Sequence, residues 1–456
     1  MKSALFACTL ASATMPLMAT GIVPELSNIT MRQDSKRKVV INYTLANAPA
    51  VVTVDIQTNV SEDAWASIGG EHVQSFSPNS AVWKRIETDG TYEMTWNPEK
   101  DWPGHAVADG QCRAVVTAWA PENTPDYMVV DIAEGASPNT QRYYPAAEFV
   151  PGGVLANEAY RKTALLMRKI TAKDITWTMG SVAESSRQEN EATHLVTLTN
   201  NYYIGVFEIT QTQWSLIATR NRDPSYYNTH ASGKLMRPVE RVSYNEIRNN
   251  TGNDPGMPVE VQSAYNWPNP PYGNSFLGVL RARTGLDFDL PTEAEWEFAC
   301  RAGHGEGLWG EGSAYRDSEY DSNLLGLGRY YANGGLVNAN PNGSLPGRTC
   351  DVDSATATAG SYRPNDFGLY DMHGNVWEWC LDWYEADISA HGGLVNINPA
   401  NAGQTRGGNT PYERVQRGGC YADRAQHCRS ARRQGNAARQ MESKWGFRVA
   451  CRAGLE

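Results

Sequence analysis

Between residues 22 and 135 the hydrophobic positions fall in short runs separated by turn residues. Val39-Val40-Ile41-Asn42-Tyr43-Thr44-Leu45, Val51-Val52-Thr53-Val54-Asp55-Ile56 and Cys112-Arg113-Ala114-Val115-Val116-Thr117-Ala118-Trp119 are rich in β-branched side chains. Such residues fit a pleated, half-buried surface. Thr91-Tyr92-Glu93-Met94-Thr95-Trp96 alternates polar and bulky groups, and Tyr127-Met128-Val129-Val130-Asp131-Ile132 continues the series. Asp89-Gly90 and Asp109-Gly110 punctuate the runs as turns. This spacing predicts an immunoglobulin- or fibronectin-like β-sandwich over residues 22–135.

Periodicity fades over 136–159, where Gly135-Ala136-Ser137-Pro138-Asn139 and Pro151-Gly152-Gly153 mark a linker. From 160 to 456 the pattern changes again. Thr210-Gln211-Thr212-Gln213, Ser243-Tyr244-Asn245-Glu246 and Thr292-Glu293-Ala294-Glu295 each match a capping box. In that motif a hydroxyl accepts from the N3 amide while the N3 side chain reaches back to the N-cap amide. Trp214, Ile247 and Trp296 then supply apolar helix positions, and Pro291 sharpens the third start. The rest, from Gly303 to Asn365 especially, reads as loops and short strands. The fold class expected is α+β: a β-sandwich followed by a loop-rich domain with two or three short helices. Composition agrees, since 41 Gly, 24 Pro, 14 Trp and 22 Tyr suit turns and aromatic packing better than long helices.

The N-terminal stretch MKSALFACTLASATMPLMATG has one Lys, an apolar segment, and small residues Ala19 and Gly21 before Ile22. This predicts a signal peptide over 1–21 and a secreted or periplasmic protein. Thr, Ser and Pro interrupt the segment, and no later segment is long and apolar enough to span a bilayer. Eight cysteines stand at 8, 112, 300, 350, 380, 420, 428 and 451. Loss of Cys8 with the signal leaves seven, so at least one thiol is free, metal-bound or paired between chains. No CxxC or HExxH occurs, which removes zinc ribbons and zincins. The net charge of −10 and the lack of any long basic run argue against nucleic acid as a partner.

Several segments together resemble the formylglycine-generating enzyme (sulfatase-modifying factor) family. They are Trp177-Thr178-Met179-Gly180-Ser181, Tyr203-Ile204-Gly205-Val206-Phe207-Glu208-Ile209-Thr210, Arg237-Pro238-Val239 with Val242-Ser243-Tyr244, and Leu290-Pro291-Thr292-Glu293-Ala294-Glu295-Trp296-Glu297-Phe298. Further on come Asn365-Asp366-Phe367-Gly368-Leu369-Tyr370-Asp371-Met372-His373-Gly374-Asn375-Val376-Trp377-Glu378-Trp379, then Arg417-Gly418-Gly419 and Gly446-Phe447-Arg448. The resemblance implies a C-type-lectin-related fold over residues 160–456 and covers none of 22–135. It implies a reaction in which a sulfatase cysteine becomes formylglycine, with copper(I) held by two cysteines five apart. Soft thiolates suit copper(I). Here the first of those positions is Asp423 and the second is Cys428. A hard carboxylate suits copper(I) poorly, so the bis-thiolate site cannot assemble in the usual way. Cys420 stands where the family usually has Ser. Cys420 with Cys428, or Cys380 with Cys428, are candidates for a substitute pair; the plain alternative is a disulfide or buried thiols. His427 is expected to be a surface or packing residue.

The same resemblance implies a calcium site with side-chain oxygens from Asp371 and Glu378 and carbonyls from Gly374 and Val376. The plain alternative is a turn whose Glu378 pairs with an arginine. A second calcium site would fall near Asn333 and Gly334. Trp377 and Trp379 are expected in the core, and Glu295 and Glu297 as capping and framework groups. Two functions are compatible with these residues. One is an exported binding or scaffold module for a peptide, a cell-surface protein or a glycan, favoured by Asp423. The other is a formylglycine-generating oxidase acting on a sulfatase-like peptide, or a variant thiol–metal oxidoreductase using Cys420 and Cys428. The family's iron-dependent branch needs a helical domain with HxxxE-type spacing, and this chain has no such segment.

Overall fold

A computed structural model describes residues 23–452 apart from 62–63, 108–109, 182–186, 229–233, 250–268, 305–319, 334–354, 387 and 389–412. The signal-peptide expectation, Cys8, Cys350 and Gly334 therefore lie outside the described residues.

The first seven strands form two antiparallel sheets. Strands β1 (Glu25–Gln33), β2 (Val39–Ala46) and β6 (Gly90–Trp96) make one, in the order β1-β2-β6. In the other, β3 (Ala50–Ser61) pairs along its length with β7 (Cys112–Trp119), and with β4 (Ala64–Ser67) and β5 (Lys84–Ile86) near its two ends. The two-residue period decides which side chains go inward. Val39, Ile41, Tyr43 and Leu45 of β2 join Val52, Val54 and Ile56 of β3, Met94 and Trp96 of β6 and Val116 of β7 in one apolar cluster.

The expected boundary at 135 does not match the pairing. Strand β8 (Tyr127–Asp131) pairs with β10 (Ala164–Ile170), not with the first two sheets. The stretch expected as a linker holds β9 (Arg142–Tyr144), which pairs with β8, and a short 3-10 turn at Glu158–Arg161. Alternation marks a strand but says nothing about which neighbour it takes. Tyr144, Phe149, Tyr160, Phe207 and Tyr370 also enter the cluster formed by the first seven strands, so one apolar layer runs across the expected linker.

A two-stranded sheet pairs β11 (Ile175–Met179) with β12 (His194–Leu198). The six-stranded sheet adds β13 (Tyr202–Gly205), β14 (Phe288–Asp289) and β19 (Ala450–Arg452), in the order β14-β19-β13-β10-β8-β9. Four more strands, β15 (Trp377–Trp383), β16 (Glu413–Arg417), β17 (Arg433–Ala437) and β18 (Trp445–Gly446), are ordered β17-β16-β15-β18.

Three helices pack against these sheets. Helices α1 (Gln211–Ile217) and α3 (Glu293–Arg301) start at Thr210 and Thr292, and both capping boxes are complete. Ser243 and Glu246 also bond reciprocally, and the described residues that follow form a π-type turn, Asn245–Asn249. Helix α2 (Phe276–Thr284) was not expected: Ser275 caps it, but Gly278 occupies N3, so the motif is incomplete. Its Phe276 stacks on Trp214 at 5.1 Å, and Phe447 closes the group edge-on.

Buried arginines tie the irregular segments together. Arg433 grips Glu293 at 2.6 and 2.8 Å, and Arg429 grips Glu191 at 2.7 and 2.8 Å. Arg417 and Arg301 share Glu297, whose carboxyl is held below its ordinary value by those two guanidiniums despite burial. Beside them Asp382 accepts the amide of Glu293 at 2.6 Å. Burial, and then the charge of Glu293, push the Asp382 carboxyl up to about 8. An acid raised this way holds a proton in the folded chain that the unfolded chain releases, so stability falls as pH rises from about 4 to about 8. The Asn oxygen can still accept the amide. Asp382→Asn should therefore gain melting temperature over the parent as pH goes from 5 to 8, by several degrees in differential scanning calorimetry. A difference independent of pH would rule out the raised carboxyl.

Candidate functional site

The turn after β16 opens with Gly418 and Gly419, at φ 96° and 76°. A Cβ on Gly419 would sit 2.7 Å from the Cys428 sulfur, so the turn needs glycine to bring residue 428 underneath. Cys420 and Cys428 are both fully buried and free. They are close enough for charge on Cys428 to disfavour ionisation of Cys420. Burial, followed by the neighbouring Asp423 carboxylate, pushes both thiols well above their ordinary range. With no metal bound they therefore stay protonated at neutral pH, which makes them poor nucleophiles.

Asp423 is occupied locally. Its Oδ2 accepts the Trp377 indole N–H at 2.7 Å and the Cys420 amide at 3.2 Å, while its own amide donates to the Cys420 carbonyl at 3.0 Å. The carboxylate thus closes the 420–423 turn onto β15. A copper(I) site of the usual kind does not fit this donor set, because residue 423 offers a hard oxygen that already serves two N–H groups.

Cys380 does not join this pair. It belongs to an apolar cluster with Cys300, Trp296 and Val415, whereas Cys428 packs with Leu324, Tyr330 and Ala425. His427 is half-buried against Gln426 at 3.3 Å, as expected of a packing residue. His373, not singled out from the sequence, lies below the thiols. Its Nδ1 donates to the Cys428 carbonyl at 2.9 Å, and its Nε2 is 3.7 Å from the Cys300 sulfur. Trp377 and Trp379 are core residues, with the Trp379 indole donating to the Val242 carbonyl. Glu295 caps α3 by accepting the Thr292 amide at 2.8 Å.

The Asp371–Glu378 loop packs against the same turn: the Gly374 amide donates to the Gly418 carbonyl, and Tyr421 donates to Asn375. A Cβ at Gly374 would strike the Arg329 carbonyl, so this position too demands glycine. Glu378 accepts Arg448 at 2.6 and 2.7 Å and the Trp296 indole at 2.7 Å, so both its oxygens are engaged. Two other buried carboxylates are less satisfied. Asp371 accepts the Gly360 amide at 2.6 Å and Glu208 accepts Asn375 Nδ2 at 2.7 Å, but Asp371 Oδ1 and Glu208 Oε1 have no partner. Burial and then the charge of Asp371 push Glu208 well above its ordinary value; burial chiefly lifts Asp371 to about 6. Glu208 was missed from the sequence, where the only signal was one acid inside the apolar run Val206-Phe207-Glu208-Ile209. Among the described residues no three His, Cys, Asp or Glu side chains converge as a metal-holding group. A cation here would rest on the two orphaned oxygens and backbone carbonyls. The Asn333 side chain, near the second expected calcium position, is engaged with Tyr330 and Gly328.

A family profile described as the sulfatase-modifying factor enzyme 1-like domain matches residues 137–453. Over 166 residues the chain is 34% identical to the formylglycine-generating enzyme of Thermomonospora curvata, covering 35% of this chain and 48% of that enzyme. Over 181 residues it is 31% identical to the serine/threonine-protein kinase pkn1 of Chlamydia pneumoniae, covering 40% of this chain and 24% of the kinase. The chain thus spans less than half the length of either relative. Among solved structures, PvdO from Pseudomonas aeruginosa is similar at 21% identity and a TM-score of 0.42, covering 63% of this chain and 94% of that one.

Burial and protonation make the two thiols slow to react. Iodoacetamide applied to the native chain should leave Cys420 and Cys428 unmodified after an hour and label both once urea is added, as read by peptide mass mapping. Native labelling within minutes would show that the turn is open.

Proposed function

The chain belongs to the sulfatase-modifying factor enzyme 1-like domain family, and from that premise we propose that it is an exported binding or scaffold module for a peptide, protein or glycan, not a formylglycine-generating oxidase of the usual kind. The observation that carries this reading is Asp423. Its carboxylate bonds Trp377 and the Cys420 amide where the family would need a thiolate for copper(I). The protonated state of Cys420 and Cys428 supports the same reading. Their proximity supports a second one, a variant thiol–metal oxidoreductase that uses Cys420 in place of residue 423. Seven strands in two sheets sharing one apolar layer support an immunoglobulin- or fibronectin-like sandwich at the N-terminal end, and its role would be to present the second unit.

Calcium is part of the proposal. Glu208 Oε1 and Asp371 Oδ1 are buried oxygens without partners, and a hard divalent cation would satisfy both. Gly374 and Val376 would add carbonyls, and Glu378, gripped by Arg448, would serve as framework.

Three experiments test these readings. Purified full-length protein, copper and a peptide with the sulfatase Cys-x-Pro-x-Arg motif should yield no aldehyde by mass spectrometry. Asp423→Cys should gain tight copper(I) binding at least tenfold over the parent in a chelator competition. Aldehyde formed by the parent and abolished by Cys428→Ser would overturn the binding reading in favour of the second. For calcium, millimolar Ca2+ should raise the melting temperature by several degrees in the parent and not in Asp371→Ala or Glu208→Gln. An equal rise in all three would remove these carboxylates as ligands.

A further inference from the structure

Glu240 is fully buried beside the thiol turn. One of its oxygens accepts the Tyr227 amide at 2.9 Å, and the other, Oε2, has no partner. Tyr226 and Tyr227 stand next to it, and Tyr421 packs on Tyr227. The Tyr226 ring is perpendicular to that of Tyr227, at 5.1 Å and 88°, and Tyr227 is perpendicular to Tyr421, at 5.3 Å and 83°. The hydroxyls of Tyr227 and Tyr421 are 2.7 Å apart, which locks those two rings. Tyr226 is 62% exposed and Tyr227 half-buried, so the corner opens to solvent. None of this was visible in the sequence, where Tyr226 and Tyr421 are almost 200 positions apart.

We propose that this corner is a binding site for a weakly hydrated organic cation, a quaternary ammonium or a guanidinium group, seated on the faces of Tyr226 and Tyr227. The ring faces are negative, and a cation over them is attracted most when it sheds little hydration. At the Tyr227 backbone stands the Glu240 carboxyl group with one oxygen unpaired. Its nearest counter-charge is Arg241, which is exposed to solvent and so screened. Burial lifts this acid to about 7, and an incoming cation would draw it into the charged form, which no close ion pair already holds. Tyr421 follows Cys420 directly in the chain and its hydroxyl bonds that of Tyr227, which puts the corner beside the thiol turn. The inference rests on the binding reading of that turn and names the chemistry its ligand presents. A small quaternary ammonium and an arginine side chain share that chemistry.

The full-length chain should be titrated by calorimetry with tetramethylammonium and, separately, with N-acetylarginine methylamide. Neutral tert-butanol is the control for mere apolar filling. At least one cation should saturate near about 1 mM, as expected for a pair of exposed ring contacts. Tetramethylammonium alone would identify a quaternary headgroup; the arginine amide alone, a peptide side chain. Tyr226→Ala, at an exposed position, should weaken binding by about fivefold, and Glu240→Gln by a similar factor. If Glu240→Gln fails to fold, Tyr226→Ala decides. Saturation by neither cation, equal binding of tert-butanol, or unchanged affinity in Tyr226→Ala overturns the proposal. Those results leave the binding reading standing, because that reading falls only to copper-dependent aldehyde formation.

Discussion

Buried arginine–carboxylate pairs are the constraint from which the C-terminal unit takes its shape. This half of the chain has only three short α-helices among its described residues, so few long backbone ladders fix its loops. Guanidinium forks do that work instead. Arg433 joins β17 to the start of α3, Arg429 reaches Glu191 from 238 positions away, and Arg448 reaches Glu378 across 70. Burying such pairs is not a cheap way to gain stability, since desolvation can cancel the attraction. What a bidentate fork supplies is geometry: only one approach satisfies both N–H groups, and a slipped loop would leave a charge buried alone.

The candidate site inherits its position from two of these pairs. Arg417 ends β16 and pairs with Glu297 of α3, and Gly418 and Gly419 come directly after it. Glu378, held by Arg448, lies in β15, the strand against which that turn closes. Asn375 couples the two halves of the site, since its side chain donates to Glu208 while its carbonyl accepts from Tyr421. The carboxylate pair and the thiol turn are therefore one mechanical unit. A cation satisfying Glu208 and Asp371 would stiffen the loop on which Cys420 and Tyr421 rest.

Local chemistry was legible in the sequence and remote pairing was not. Thr210 and Thr292 announce α1 and α3 because a capping box is complete within four residues. Ser243 has the same motif, and the turn described after it, Asn245–Asn249, packs against α2. Strand β8 was recognised as a strand but assigned to the wrong neighbours, because its partner β10 begins more than 30 residues later. Among functional groups, Asp423 was visible as a departure from a known pattern. Its two hydrogen bonds were not, nor were Glu208 and His373, whose partners lie 167 and 55 positions away.

Asp423 shows how a single position can serve a metal or a scaffold, but not both well. A carboxylate oxygen accepts strongly from the Trp377 indole and from the Cys420 amide; a thiol sulfur is a weak acceptor and would leave both donors short. Two buried N–H groups left unpaired cost about 1–3 kcal/mol each, so a cysteine at 423 in this particular frame needs a bound metal or a rearranged turn to recover the loss. The carboxylate needs neither. It also places a negative charge beside Cys420 and Cys428, which adds to burial, the larger cause, in keeping both protons on sulfur. The same atoms that steady the turn thus also disfavour the thiolates beside it.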